Sequence, residues 1–495
     1  MVVGLHELPQ VNNLSRPLSD VNHLLSSMLA VMILVASVAY GLIIRPLWLN
    51  QTALPLELVF LSASVMVMAQ ALCLGYQWQS LMNNVNAKIT RAFPTILLLF
   101  VIGILIGTWI LSGTVPMLVY LGLDLVSEHY FYALAFLLSV VFSLCTGSSW
   151  STIATIGVVL ITVGQTANAH LGLLAGAVIG GAYFGDKMSP LSDTTNIAAI
   201  AVGVSVQAHI NAMKYTTIPA AVLALCAYII LGFYYPVAST AAQENVLLTF
   251  QAQLHGLFKF SYWLLLPPII ILIGSIKRFP PLPTLVVSSF SACLLALYFQ
   301  AISLEQVFTT IHKGFDLSLF VSTANMTADT SGIAVDSILN RGGLYFLIDP
   351  IVITILIFVY VGVVDEMGAI TRTLSAMLLK IKRDSSLVVS TLFASSLTNS
   401  LTSSQYANSF IVSEVFSKKY REHKLPKPLL SRSLEDTGTM IESLVPWSTT
   451  AVFIYATLDI AITEYWYWQF MSLFNIAVAL LLAIFAIDYS KNRTR

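Results

Sequence analysis

Residues 180–196 read GGAYFGDKMSPLSDTTN, so that Asp186 and Lys187 precede Pro190 while Ser192, Asp193, Thr194, Thr195 and Asn196 follow it. Gly172, Gly176, Gly180, Gly181 and Gly185 give the segment before the proline a smooth helical face. Small residues at that spacing let helices pack closely in lipid. Pro190 has no N–H and crowds the turn before it, so a helix should break there. In a membrane such a break frees carbonyls and half-helix ends, which hold ions. A charge near the bilayer centre costs about 2.5–3.5 kcal/mol on insertion scales, which makes Asp186 a candidate for ion work and Lys187, beside it, a candidate neutralising partner. Ser192 or Asp193 could equally serve as a plain helix N-cap.

The rest of the chain supports a membrane reading. Of its 495 residues 57% are hydrophobic and 10% charged, against roughly 25% charged in a soluble domain. Apolar runs at about 25–44, 56–73, 94–112, 214–234, 255–276, 280–299, 350–368 and 469–487 are each near the ~20 residues that cross ~30 Å as a helix. About ten crossings would use roughly 200 residues, so much of the chain must be something other than plain spanning helix. Lys plus Arg and Asp plus Glu balance at 24 each, which leaves no basic excess to hold nucleic acid. Cys73, Cys145, Cys226 and Cys293 lie in apolar runs without CxxC spacing and read as small core residues. The polar first 24 residues lack the pattern of a cleaved signal peptide, so the first spanning helix should direct insertion.

A register of 256 residues relates two parts of the chain. It carries Pro94 to Pro350, Thr146 to Thr402, Ser148 to Ser404, Trp150 to Tyr406, Asp186 to Glu442, Pro190 to Pro446, Ser192 to Ser448 and Thr194 to Thr450. Basic residues mark cytoplasmic membrane ends. Lys88 and Arg91 precede the helix at Pro94, and Asp124 and Glu128 follow it. In the second copy Asp349 precedes Pro350, and Lys380, Lys382 and Arg383 follow that helix. The copies therefore read as inverted, the usual plan of a secondary transporter. Arg45, Lys313 and Arg341 fall outside on this orientation. Residues 385–417 have basic flanks at both ends and a middle rich in Ser, Thr and Asn, which favours a re-entrant hairpin entering from the cytoplasm. Residues 129–165 would be its counterpart from outside, with Ser148 and Ser149 at the tip. Backbone of this kind is tolerated at membrane depth only where it is buried in protein or lines a cavity.

The expected fold is an all-α polytopic membrane protein with about 10 transmembrane helices, two re-entrant hairpins and two broken helices in an inverted repeat. It divides into a cytoplasmic segment (1–24), N-terminal helices (25–93), repeat 1 (94–234), connecting helices with an extramembrane segment (235–349), repeat 2 (350–490) and a cytoplasmic tail (491–495). Glu442 inherits the argument for Asp186, whereas Glu435 and Asp436, close after the basic run up to Arg432, read as a cytoplasmic loop end. Asp365 and Glu366 close an apolar helix and are either a second proton site or a helix terminus. His170 and His209, near helix ends, read as interface residues. No HExxH, GxSxG or convergent Ser/His/Asp set marks an enzyme.

The motif at 185–196, together with residues 106–116, Arg341-Gly342-Gly343 and residues 445–450, resembles the NhaC family of sodium/proton antiporters. The resemblance runs through most of the chain. It implies exchange of cytoplasmic Na+ for external H+ in a bacterial inner membrane, and relatives that exchange small carboxylates of the malate and lactate type make that the alternative cargo. On this reading Asp186 is the acid for which Na+ and H+ compete, because a carboxylate taken out of water must hold a proton or a cation. Asp193 and Glu442 assist in holding Na+. Oxygens of Ser148, Ser149, Ser192, Thr194, Thr195, Asn196, Thr402, Ser403, Ser404, Ser448 and Thr449 complete the ion or substrate shell. Na+ and H+ are the transported ions, with no cofactor. The lipid bilayer is the expected surrounding, and a homodimer the expected assembly.

Overall fold

The computed structural model describes residues 20–238, 241–277, 279–318, 339–378 and 381–486. The expected N-terminal segment up to residue 19 and the tail 491–495 lie outside the described residues. Among the latter there is no strand. Among the described residues seven helices are long and apolar enough to cross a membrane alone, or nine if two bent pairs are each one span. The chain is a multi-pass, all-α membrane protein.

The register of 256 reappears as helix boundaries. In the first copy the segment from Phe131 to Thr146 ends at Gly147, which has a left-handed backbone, and the chain turns back through Ser149–Thr152 to Thr166. In the second, Asp384–Thr402 ends at left-handed Ser403 and the chain turns back through Gln405–Glu422. Ser148 and Ser404 cap the returning arms by accepting from the N–H groups of Ser151 and Ala407. A serine at that position satisfies one of a helix's orphan donors. The next element of the first copy, Leu171–Met188, breaks and resumes as Asp193–Val202. Its partner begins with Lys427–Ser433, loosens through the π-helical turn Leu434–Thr439, and resumes as Thr449–Leu458. Ser192 and Ser448 cap the two resumed halves, and left-handed Gly203 and Asp459 end them.

The two copies interlock. Their first helices, Trp78–Ser112 and Ile348–Glu366, pack together where Gly362 lies against Val85. Their last helices, Val206–Tyr234 and Phe470–Phe485, also pack on each other. The glycine face of Leu171–Met188 serves this closeness. A Cβ at Gly176 would meet the backbone of Trp468 and one at Gly181 the backbone of Phe136.

Two expectations change. The run 255–276 is not one straight crossing: Leu248–Leu257 and Tyr262–Ile276 meet at 100°. Pro267 and Pro268, with Ser261 as a cap, start a fresh helix inside an apolar run, where hydropathy has no contrast to mark the corner. Of the four cysteines only Cys293 is buried, while Cys73, Cys145 and Cys226 are exposed.

Candidate functional site

Each hairpin tip meets the break in its own copy's helix. At Gly147 the chain passes so close to the break that an added Cβ would stand 2.6 Å from Cβ of Leu191. The left-handed φ of 66° and this approach both call for glycine. The next residues deliver donors. Ser149 gives Asp186 Oδ2 two hydrogen bonds, from its hydroxyl at 2.6 Å and its N–H at 3.1 Å. Asp186 is 4% exposed, and its Oδ1 is buried without a hydrogen-bond partner. A carboxylate so placed presents one oxygen to whatever enters the break. Thr195 ties the two halves by donating to the Asp186 and Lys187 carbonyls, and Asn196 does the same to Pro190 and Ser192. Thr194 shares a hydrogen bond with Ser192 at 3.0 Å.

In the second copy Glu442 accepts from Asn399 at 2.9 Å through Oε1 and from Thr450 at 3.3 Å through Oε2. Asn399 also donates to the Gly438 carbonyl, as Ser143, its counterpart in the register, donates to Ala182. Ser448 donates to the Glu442 carbonyl and Thr449 to that of Ser403, while Thr402 turns back onto its own arm at Thr398. The Ser403 hydroxyl is buried without a partner. Fully buried Tyr183 lies within electrostatic reach of both Asp186 and Glu442.

The copies also reach across to each other. Trp150 stacks on Phe453 at 4.5 Å between ring centroids, and Tyr406, its counterpart, donates to Asp193 Oδ2 at 2.8 Å. Asp193 is exposed and sits at the rim of the break, away from the buried Asp186 carboxyl.

Lys187 does not neutralise Asp186. Its Nζ reaches Asp436 at 2.5 Å and Asn475 at 3.2 Å, and Arg432 approaches Asp436 from the other side at 3.3 Å. Thr216 donates to the same Asp436 oxygen at 2.7 Å. Glu435 and Asp436 are therefore not a loop end; both are 0% exposed. The register itself could have placed them, because it carries 171–188 onto 427–444 and so puts Arg432, Glu435 and Asp436 inside a helix half. His209 joins this cluster, with Nδ1 2.9 Å from Ser431 Oγ. His170 caps Leu171–Met188 through Nδ1 and packs edge-on to Tyr235 and Trp468.

Asp365 and Glu366 stand apart from both breaks. Asp365 pairs with Lys88 at 2.7 Å and Glu366 accepts from Ser80 at 2.5 Å, which fastens two helices together. Among the described residues no group of three or more His, Cys, Asp or Glu could hold a metal ion. A monovalent cation at the breaks would have to use single carboxylates with hydroxyls and carbonyls.

Comparison with known proteins adds an independent finding. A sequence profile of the Na+/H+ antiporter family matches residues 181–487. An uncharacterized Na+/H+ antiporter of Haemophilus influenzae is 33% identical over 94% of this chain and 96% of its own length. The Na+/H+ antiporter NhaC of Bacillus subtilis is 32% identical over 82% and 87%. The malate-2H+/Na+-lactate antiporter of the same organism is 29% identical over 89% and 92%.

Proposed function

The chain belongs to the Na+/H+ antiporter family, a group of transporters, and on that premise we propose that it exchanges Na+ for H+ by alternating access, with Asp186 as the acid for which the two ions compete. The observation that carries this is the Asp186 carboxyl in the helix break, one oxygen held by Ser149 of the hairpin tip and the other buried without a partner. Removed from water, that group is stable with a proton or with a cation and costly with neither. Competition for one place makes the exchange obligatory. Ser148, Ser149, Ser192 and Thr194 supply hydroxyls at the first break, and Glu442 with Asn399, Ser403 and Thr450 forms the matching half-site in the second. Tyr406 on Asp193 closes the rim. The proposed exchange needs no cofactor beyond the transported ions.

Exchange of a small carboxylate is the competing reading, supported by the malate and lactate relative. It would need a cation to meet the anion. Lys187 and Arg432 are both engaged by Asp436, which favours the inorganic cargo. We place the protein in a bacterial inner membrane, in contact with lipid and as a homodimer, the last to be tested by its mass in lipid nanodiscs.

The test is Na+-driven H+ movement in proteoliposomes, read with a pH-sensitive dye. Wild type should respond to Na+ with no organic acid present, and Asp186→Asn should not respond. Unchanged flux in Asp186→Asn would remove Asp186 from the reaction, and a wild type that moves H+ only when malate or lactate is added would favour the other cargo.

A further inference from the structure

The buried charges between the two copies do not balance. Among the described residues this region buries two cations, Lys187 and Arg432, and three acids, Asp186, Glu435 and Asp436, with a fourth acid, Glu442, half-buried at its edge. Asp436 engages both cations, which leaves that triad with one positive charge in excess. One further carboxylate can be ionised against it. Two buried carboxylates remain, Asp186 and Glu435, so one of them must hold a proton or a cation if the core is to be neutral, as a low-dielectric setting demands.

Hydrogen bonding sorts these two and Glu442. Glu442 has a donor on each oxygen, from Asn399 and from Thr450, and is provided for as an anion. Asp186 has two donors on Oδ2 and faces the break with Oδ1. Glu435 is provided for differently. Its Oε2 accepts from Thr439 at 2.9 Å, while its Oε1 is buried without a partner in a residue 0% exposed. It lies in the π-helical turn Leu434–Thr439. Such turns are uncommon and recur at functional sites. The charged and titratable groups around it are Lys187 and Asp186 from Leu171–Met188, Arg432 and Asp436 in its own copy, Glu442 after the turn, and His209 from Val206–Tyr234, beside Lys187 and Asp436.

We propose that Glu435 is the proton-carrying acid of the exchange, a second ion site separate from the Na+ site at Asp186. This rests on the Na+/H+ exchange read above and refines its coupling: the ions compete through charge, because only one of Asp186 and Glu435 can stand without a proton or a cation at a time. When Na+ occupies Asp186, the proton leaves Glu435 and the positive excess of the Lys187–Asp436–Arg432 triad stabilises the carboxylate left behind. When Na+ departs, Glu435 takes the proton back. The core charge of the carrier then stays balanced in each step, and Na+ and H+ need not meet at one carboxyl.

The experiment separates Na+ handling from H+ coupling in the full-length chain in proteoliposomes. Equilibrium exchange of 22Na+ against Na+, with Na+ and pH equal on both sides, requires no net proton movement. Glu435→Gln should keep this exchange within about twofold of wild type while losing Na+-driven H+ flux by at least about tenfold, the scale set by removing a proton-transfer group. Glu435→Asp should recover part of the H+ flux, and Asp186→Asn should lose both activities. Normal H+ flux in Glu435→Gln would overturn the proposal, and so would parallel loss of both activities in protein that melts like wild type. Should Glu435→Gln fail to fold, Thr439→Val decides. It should move the pH midpoint of H+ flux by about half a unit with 22Na+ exchange unchanged, because it removes the one hydrogen bond to the carboxyl, and an unmoved midpoint would overturn the assignment. A wild type that shows no Na+-driven H+ flux would instead indict the Na+/H+ reading itself.

Discussion

The two first halves of the broken helices, Leu171–Met188 and residues 427–444, occupy the same place in the repeat and are built from opposite materials. Where the first has Gly176, Gly180 and Gly181, the second has Arg432, Asp436 and Thr437. Glycine in the first lets the backbones of Trp468 and Phe136 lie directly on the helix. In the second, Thr437 fills the gap and donates to the carbonyl of Leu392, the counterpart of Phe136, at 2.7 Å. One copy gains contact by having no side chains, and the other stores charge. The lesson is that the two copies share one scaffold, and departures from symmetry decide what each half-helix packs against and which charges it buries.

The sharpest way to break this contrast is to unbalance the charged copy. Asp436→Asn leaves Lys187 and Arg432 buried without their shared carboxylate. Stranding a buried charge costs about 3–5 kcal/mol. The variant should melt well below wild type in detergent, and Lys187→Met combined with Asp436→Leu should recover part of the loss, since it removes the charges in pairs. A melting temperature equal to wild type in Asp436→Asn would show that the triad carries no structural weight. The smooth copy is next. Gly176→Leu pushes a side chain at the backbone of Trp468, and overpacking of a close helix contact costs about 1–3 kcal/mol. The loss should appear as a lower melting temperature, with the same substitution at exposed Cys226 as the control that leaves it unchanged.

Much of this was legible in the sequence. Pro190, the capping serines 148, 192, 404 and 448, and the single register predict both hairpins and both breaks, because turn and cap chemistry is local. The cross-copy contacts were not legible. Lys187 follows Asp186 in the chain, which suggested a pair. Successive residues on a helix point to different sides, so adjacency carried Lys187 away from Asp186 and toward Asp436, 249 positions on. Glu435 and Asp436 read as a loop end because nearby basic residues outweighed the register. The corner within 255–276 was hidden because every residue around it is similarly apolar.

A smaller effect tests the correspondence of Thr437 and Gly181. Thr437→Val keeps the shape that fills the gap and removes the donor to the Leu392 carbonyl. Losing one such hydrogen bond costs about 0.5–1.5 kcal/mol. A modest drop in melting temperature with Na+-driven H+ flux retained is expected, and loss of flux would move Thr437 into the ion path.

The smallest effect is expected at Asp365, which tests whether acids outside the breaks share in the exchange. Its carboxylate meets Lys88 at 2.7 Å and Asn84 at 3.3 Å, with the Asp365 side chain 35% exposed. That is the setting of a partly solvated ion pair that joins two helices, a type worth about 0–1 kcal/mol because water and salt screen it. Unlike Asp186 and Glu435, Asp365 has water to take up its charge, so nothing obliges it to bind a cation. Asp365→Asn should lower the melting temperature slightly and leave Na+-driven H+ flux within about twofold of wild type. If flux is abolished in well-folded Asp365→Asn, proton transfer extends to the Lys88 helix, and the contrast between a charged and a smooth half-helix no longer suffices to locate the ions.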